Sequence, residues 1–131
     1  MANAWDASIK LLYPADEGTF FTIDVLEPAD NYVVVANVEI GEDLNEFATE
    51  HVLRVAIVNL TTASQVDLVE LKQALTPQNN QQRRQELRAE FGPIKNSSSG
   101  DVLQAIASYT VIAGANTDVS TASSVTFVVG G

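Results

Sequence analysis

The chain's patterning predicts an α+β fold: an antiparallel β-sandwich or barrel-like sheet with two to three helices inserted in the middle of the chain. Three observations lead there. Apolar residues alternate with period two up to residue 40, helical spacing and capping signals follow between 42 and 91, and β-branched runs return after 101. At 131 residues the chain is read as a single domain, 1–131, long enough to bury one core without cross-links.

The elements follow in order. Ala7, Ile9 and Leu11 alternate with Ser8, Lys10 and Leu12, and the run from Pro14 to Gly18 supplies a turn. Phe21, Ile23 and Val25 alternate with Thr22, Asp24 and Leu26, and Glu27 to Asn31 turns the chain again, with Pro28 and Asn31 suited to it. Tyr32, Val34, Ala36, Val38 and Ile40 share one face of a third strand. These three segments predict an antiparallel meander. Its polar members, among them Asp24, Asn37 and Glu39, imply at least one wet face.

Beyond Gly41 the signals turn helical. Glu42, Asp43 and Glu46 suit a first turn, where carboxylates meet the positive end of the helix dipole. Leu44, Phe47, Ala48, His51, Val52 and Val55 recur at helical spacing, yet Val52 to Leu60 is equally a β-branched strand, and both readings stay open. Ser64-Gln-Val-Asp67 resembles a capping box that opens a helix through Leu75. Thr76-Pro77 reads as the start of another, which Gly92-Pro93 ends after Phe91; its apolar face is thin, chiefly Leu87 and Phe91. Asn96 to Gly100 is a loop. Leu103, Ala105, Ala107, Tyr109, Val111 and Ala113 then line one face of a long strand, Gly114 to Asp118 begins its connection, and Ser124 to Val129 closes the chain.

Composition excludes several chemistries. With no cysteine there are no disulfides, thiolate metal sites or thiol nucleophiles. A net charge of −10 argues against nucleic acid, whose binders neutralise phosphates with Lys and Arg. The longest apolar run, Tyr32 to Ala36, is strand-sized and far short of the ~20 residues of a membrane-spanning helix. Nothing near Met1 reads as an export signal, so the expectation is a soluble protein made in a cytoplasm, without a membrane partner.

Charge is distributed unevenly. Residues 1–50 hold eleven carboxylates against Lys10, whereas 51–100 hold six cations against four carboxylates. One reading is an acidic face that keeps the protein soluble. The sharper reading is that unlike surfaces of neighbouring copies meet head to tail, with Arg83, Arg84 and Arg88 of one copy facing Glu39, Glu42 and Asp43 of the next.

Catalytic motifs are missing: there is no nucleophile elbow, P-loop, dinucleotide fingerprint or histidine pair, and no cofactor or metal ligand set is assigned. His51 is the single imidazole and reads as a buried structural histidine. The acidic turns at Asp16-Glu17 and at Asp24, Glu27 and Asp30 offer oxygens for a hard cation, but not in an EF-hand register. The amide-rich run Gln78 to Gln82, followed by Arg83, Arg84 and Arg88, has no aromatic platform for bases and reads as a solvated helix face.

Three terminal stretches, Ala105 to Val111, Gly114 to Ala122 and Ser124 to Gly130, resemble the closing hairpin of bacteriophage tail-tube proteins. That resemblance implies a helix outside a small β-sandwich or barrel, where 77–91 would serve, and a non-catalytic subunit whose sheets join edge to edge into stacked rings. It also implies a virion location after synthesis in the host cytoplasm, with other virion proteins as partners. A negatively charged lumen would let DNA pass, Glu39, Glu42 or Asp43 lining it. The expected function is therefore a self-assembling homo-oligomeric structural subunit that is not an enzyme. The alternatives are a small soluble α+β binding module, whose acidic loops hold a cation or a basic partner, and an enzyme using carboxylates in a pocket.

Overall fold

Period-two patterning prevails along nearly the whole chain in the computed structural model, which describes residues 5–131. Nine strands and one helical turn make up the described residues: β1 (Ala7–Asp16), β2 (Val25–Leu26), β3 (Tyr32–Ile40), α1 (Glu42–Asn45), β4 (Ala48–Asn59), β5 (Ser64–Ala74), β6 (Arg83–Phe91), β7 (Val102–Ala113), β8 (Asn116–Ser123) and β9 (Phe127–Val129). They form two sheets. The smaller has the order β1-β3-β6; the larger runs β2-β9-β7-β4-β5, with β8 paired to the same edge of β7 as β9. All pairings are antiparallel except β2 with β9.

The α+β expectation is thereby corrected: the protein is a β-sandwich without the two to three helices. The helix expected over 77–91 is a loop followed by β6. Gln85, Leu87, Ala89 and Phe91 face inward and alternate with Arg84, Glu86, Arg88 and Glu90 on the opposite face. What looked like a thin helical face is a complete strand face. Residues 64–75 fail as a helix for the same reason. Val69 and Leu71 pack on the core between exposed Leu68, Glu70 and Lys72, and a single capping signal does not outweigh that period. The acidic start at Glu42 and Asp43 does open a helix, but Glu46 already ends it. Of Val52 to Leu60, the residues through Asn59 resolve as strand and Leu60 begins the turn, because His51, Leu53, Val55, Ile57 and Asn59 are all buried on one side of β4.

The expected opening meander is corrected too. β1 pairs directly with β3, and the segment between them yields only the two residues of β2, which cross to the other sheet. Phe21, expected inside a strand, is largely exposed. In β1 a bulge at Lys10 shifts the phase, so Ala7 and Leu12 are buried while Leu11 points out. The long faces of β3 and β7 are as expected: Tyr32 to Ile40 and Leu103 to Ala113 bury every second residue in one core.

That core lies between the sheets. Val34, Ala36, Val38 and Ile40 from the small sheet meet Leu53, Val55, Ile57, Tyr109 and Val111 from the large one, and Tyr32 stacks on Phe91 at 5.0 Å. Packing two sheets face to face in this way is the sandwich solution to burying a period-two pattern. A two-residue turn at Gly114-Ala115 links β7 to β8; Gly114 has φ +62°, the left-handed value a type II′ hairpin requires at its first central position.

The alternation in β6 makes a mutational prediction. Ala89→Glu places a charge in the core and should cost upwards of about 3 kcal/mol, whereas Glu90→Ala on the outer face should stay within about 0.5 kcal/mol. Urea unfolding of both variants checks this, and equal effects would contradict the strand assignment.

Candidate assembly surface

Of the residues expected to meet between copies, Glu39 and Arg84 pair within a single copy, while Arg83 and Arg88 engage other groups of the same protomer. Antiparallel pairing sets Glu39 of β3 opposite Arg84 of β6, and Arg84 Nε lies 3.1 Å from Glu39 Oε2. The Glu39 side chain is buried while that of Arg84 is largely exposed, so the pair sits at the surface of the sheet. Arg88 lies four residues along the same outer face, beyond Glu86. Its Nη2 donates to the carbonyl of Thr19 at 2.6 Å, its guanidinium covers the Phe20 ring at 4.6 Å, and Nη1 is 3.9 Å from Glu86. Arg83 points the other way, donating from Nε to Asn45 Oδ1 at 2.9 Å and from Nη2 to the Thr76 carbonyl. Asn45 in turn donates to Gln78 and to the carbonyl of Gln81, so this arginine ties the loop 76–82 to the helical turn α1. Glu42 is exposed and Asp43 half-buried in α1 itself, away from the Glu39–Arg84 pair in the chain's register.

The remaining cations of the middle segment are engaged as well: Arg54 with Glu70 at 3.3 Å, Lys72 with Glu50 at 3.9 Å and Lys95 with Asp67 at 3.7 Å. Arg84–Glu39 and Lys72–Glu50 join the basic segment to the acidic one, and the other pairs are made within residues 51–100. Exposed Glu70, Glu86 and Glu90 lie along β5 and β6, whereas the exposed carboxylates of residues 1–50 gather at the two ends of the sandwich. Asp16, Glu17, Asp24, Glu27 and Asp30 lie at one end, and Asp6 and Glu42, with half-buried Asp43 and Glu46, at the other.

His51 has a structural setting. Its Nε2 is 2.7 Å from Gln73 Oε1 and its Nδ1 is 2.6 Å from the Tyr109 hydroxyl, and the ring is buried. Gln73 Oε1 also accepts from Gln85 Nε2, so the amide oxygen faces the imidazole. The network therefore assigns the proton to Nε2, and Tyr109 donates its hydroxyl to Nδ1. Burial, assisted by the charge of Arg83, pulls the imidazole pKa below its ordinary value against the opposing effect of Gln73, and burial pushes that of Tyr109 up. A cleft of about 340 to 430 Å³ opens over each of two places, Lys10–Asn37–Glu39–Arg84 and His51–Leu71–Gln73–Leu87, and neither converges a nucleophile, a base and an oxyanion donor.

The acidic turns come together only in part. Asp16, Glu17 and Asp30 line one open polar groove with Asn31, whose Nδ2 donates to Glu17. Among the described residues no group of three His, Asp or Glu side chains is placed to hold a metal ion. Asp101 is held by the Ser98 backbone N–H at 2.9 Å and by Asn59 Nδ2 at 2.8 Å, bonds that lower its pKa and fix the 96–101 loop.

The sheet margins differ from one another in a way the residue patterns alone did not reveal. β1 is guarded by its bulge at Lys10 and by Pro14, β5 by Asp67, Glu70 and Lys72, and β6 by alternating Arg and Glu; β2 is only two residues long. β8 carries none of these devices in its own sequence, although β1 packs close along it. That sequence, Asn116-Thr-Asp-Val-Ser-Thr-Ala-Ser123, carries one charge, and that carboxylate accepts the Ala7 N–H at 2.7 Å.

With this geometry in hand, comparison with solved structures places the fold. The chain superposes on a variant of BcpA, the major pilin subunit of Bacillus cereus, with a TM-score of 0.52 and 14% identity, covering 90% of this chain and 39% of the pilin. Against unsubstituted BcpA the TM-score is 0.47 at 14% identity, over the same shares of the two chains. A protein described as a β-galactosidase from Bacteroides fragilis matches with a TM-score of 0.49 and 12% identity, over 91% of this chain and 17% of that one. The first likeness shows a shared fold and the other two carry no further weight. The chain spans about two-fifths of the pilin and under a fifth of the galactosidase. No protein-family model and no curated protein sequence matches it.

His51 supplies a clean pH prediction, because it is the single histidine of the chain. Its folded-state pKa is lowered, so the stability it contributes is complete above the unfolded value of about 6.5 and is lost as pH falls below it. Urea midpoints should decline between about pH 7 and pH 5.5 in the natural protein and stay flatter in His51→Gln, since ordinary carboxylates titrate at about 4. An identical slope in both proteins would contradict the assignment.

Proposed function

We propose that this chain is a self-assembling structural subunit whose copies join along sheet margins. The observation that carries the proposal is the contrast between β8, an eight-residue margin without charge protection, and the guarded margins of β1, β5 and β6. An exposed edge of that kind presents a row of free backbone donors and acceptors to another strand. The fold shared with a major pilin subunit is consistent with structural work for such a sandwich, as is a constellation in which both nitrogens of the single imidazole are occupied. No catalytic role is assigned.

The engagement of Arg83, Arg84 and Arg88 within the protomer changes the expected mode of contact. Head-to-tail pairing of their charges with Glu42 and Asp43 of a neighbour would compete with bonds already made, and both ends of the sandwich carry exposed carboxylates. Backbone pairing at a neutral margin is the mode we propose instead. A virion tube is the narrower form of this proposal and rests on the terminal hairpin, which here is β7 with β8 and β9. The outer helix that the tail-tube resemblance implied at 77–91 is replaced by β6.

The two modes respond oppositely to salt. Attraction between unlike charges weakens as the Debye length falls from ~30 Å at 0.01 M to ~8 Å at 0.15 M, whereas repulsion between acidic protomers is relieved. Light scattering should show particle mass rising with protein concentration and rising further with added salt. Dissociation on adding salt would reinstate the charge-pairing mode, and a monomer at every concentration would remove the assembly proposal.

A further inference from the structure

The hairpin register determines which backbone groups of β8 are free. Ala113 and Asn116 flank the two-residue turn and face each other, and at the far end Ser124 N–H donates to the Ala105 carbonyl at 2.9 Å. In an antiparallel strand the N–H and C=O of one residue point to the same side and alternate along the chain. Asn116, Asp118, Ser120 and Ala122 therefore direct their backbone groups to β7. Thr117, Val119, Thr121 and Ser123 direct theirs away from β7, to a side on which no strand forms a ladder; β1 lies close to β8 and meets it at Asp118, which accepts the Ala7 N–H.

The side chains of those same four residues lie on the outer face of the large sheet. There they continue a face without charge on β7: Gln104, Ile106, Ser108, Thr110 and Ile112. Val119 is 58% exposed and Val125, just beyond the strand, 66%. Between the acidic ends of a molecule of net charge −10, this strip is where a second copy approaches with least repulsion. An antiparallel strand pair is also compatible with a two-fold axis, so one margin can serve as its own partner.

We infer that the partner of β8 is β8 of a second copy, paired antiparallel about a two-fold axis so that the two large sheets become one continuous sheet. This rests on the assembly reading above and names its contact. β-Branched residues then face one another across the junction, the pairing that antiparallel strands favour. The interface is isologous: it closes a dimer, and any larger particle grows from that dimer through other surfaces.

Two sets of variants test it. Proline lacks the N–H and is tolerated at edge positions whose N–H faces outward. Val119→Pro should therefore leave the β7 ladder intact and weaken dimerisation at least ~10-fold, whereas Ala122→Pro should destabilise the fold itself. If Val119→Pro does not fold, Val119→Lys provides the same block through charge. The natural chain has no cysteine, so Val119→Cys, Ser120→Cys and Thr121→Cys can be oxidised one at a time, with Gln65→Cys on β5 as control. A two-fold axis in this stretch brings one of the three opposite its own copy within disulfide reach. The expected result is a covalent dimer from one or two adjacent β8 positions, none from β5, and a monomeric Val119→Pro with near-natural melting. Oligomers that persist in Val119→Pro and form no β8 disulfide would overturn this contact while leaving the assembly reading in place. A natural protein that is monomeric at ~1 mM, together with absent cross-links, would overturn both.

Discussion

The antiparallel ladder between β4 and β7 is the constraint on which the rest of the molecule depends. It aligns Ala48–Asn59 with Leu103–Ala113, and its inner face holds Leu53, Val55, Ile57, Tyr109 and Val111. A one-residue slip would move that entire set to the solvent side, so register and core specify each other. The ladder also carries the polar staple of the interior, because His51 of β4 and Tyr109 of β7 meet only in this alignment. β5 attaches to one side of the pair and β8 and β9 to the other, which leaves β8 as the margin.

Electrostatics follow from the same geometry. Pairing β3 with β6 brings an acidic stretch of the chain against a basic one, and Glu39–Arg84 is the contact that results. Glu39 with Arg84 and Glu50 with Lys72 are therefore local neighbours although far apart in sequence. The exposed carboxylates of residues 1–50 sit at both ends. Like charge at both ends opposes close approach of two protomers there, and the outer face of β7 and β8 carries no charge.

Much of the strand content could be read from the residues, and the failures have physical causes. Tyr32 to Ile40 and Leu103 to Ala113 were legible because both are long and apolar at every second position, β7 being buried on alternate residues and β3 on both faces. Residues 83–91 were misread because Arg, Gln and Glu favour helices when exposed, and the apolar face of β6 is diluted by Gln85 and Ala89. Tertiary pairing with β3 overrides that preference. In 64–75 a capping signal at Ser64 masked the alternation that begins at Val69. The bulge at Lys10 breaks the phase of β1 in a way that no local pattern marks. The assembly residues were chosen by charge, which identifies residues that need partners without saying that the partners lie in the same sheet. The margin at β8 was hidden for a related reason: Thr, Ser and Ala announce no chemistry, and an unpaired edge exists only once the other strands are placed.

The interior holds two sheets together, and in the proposed function the contact between copies falls to one strand edge. Amide hydrogen exchange followed as a function of protein concentration tests this most directly. The N–H groups of Thr117, Val119, Thr121 and Ser123 should exchange fast in dilute protein and become protected together as concentration rises, while those of β5 and β6 remain unchanged. Fast exchange of the four at every concentration, or new protection confined to β5 or β6, would contradict the account.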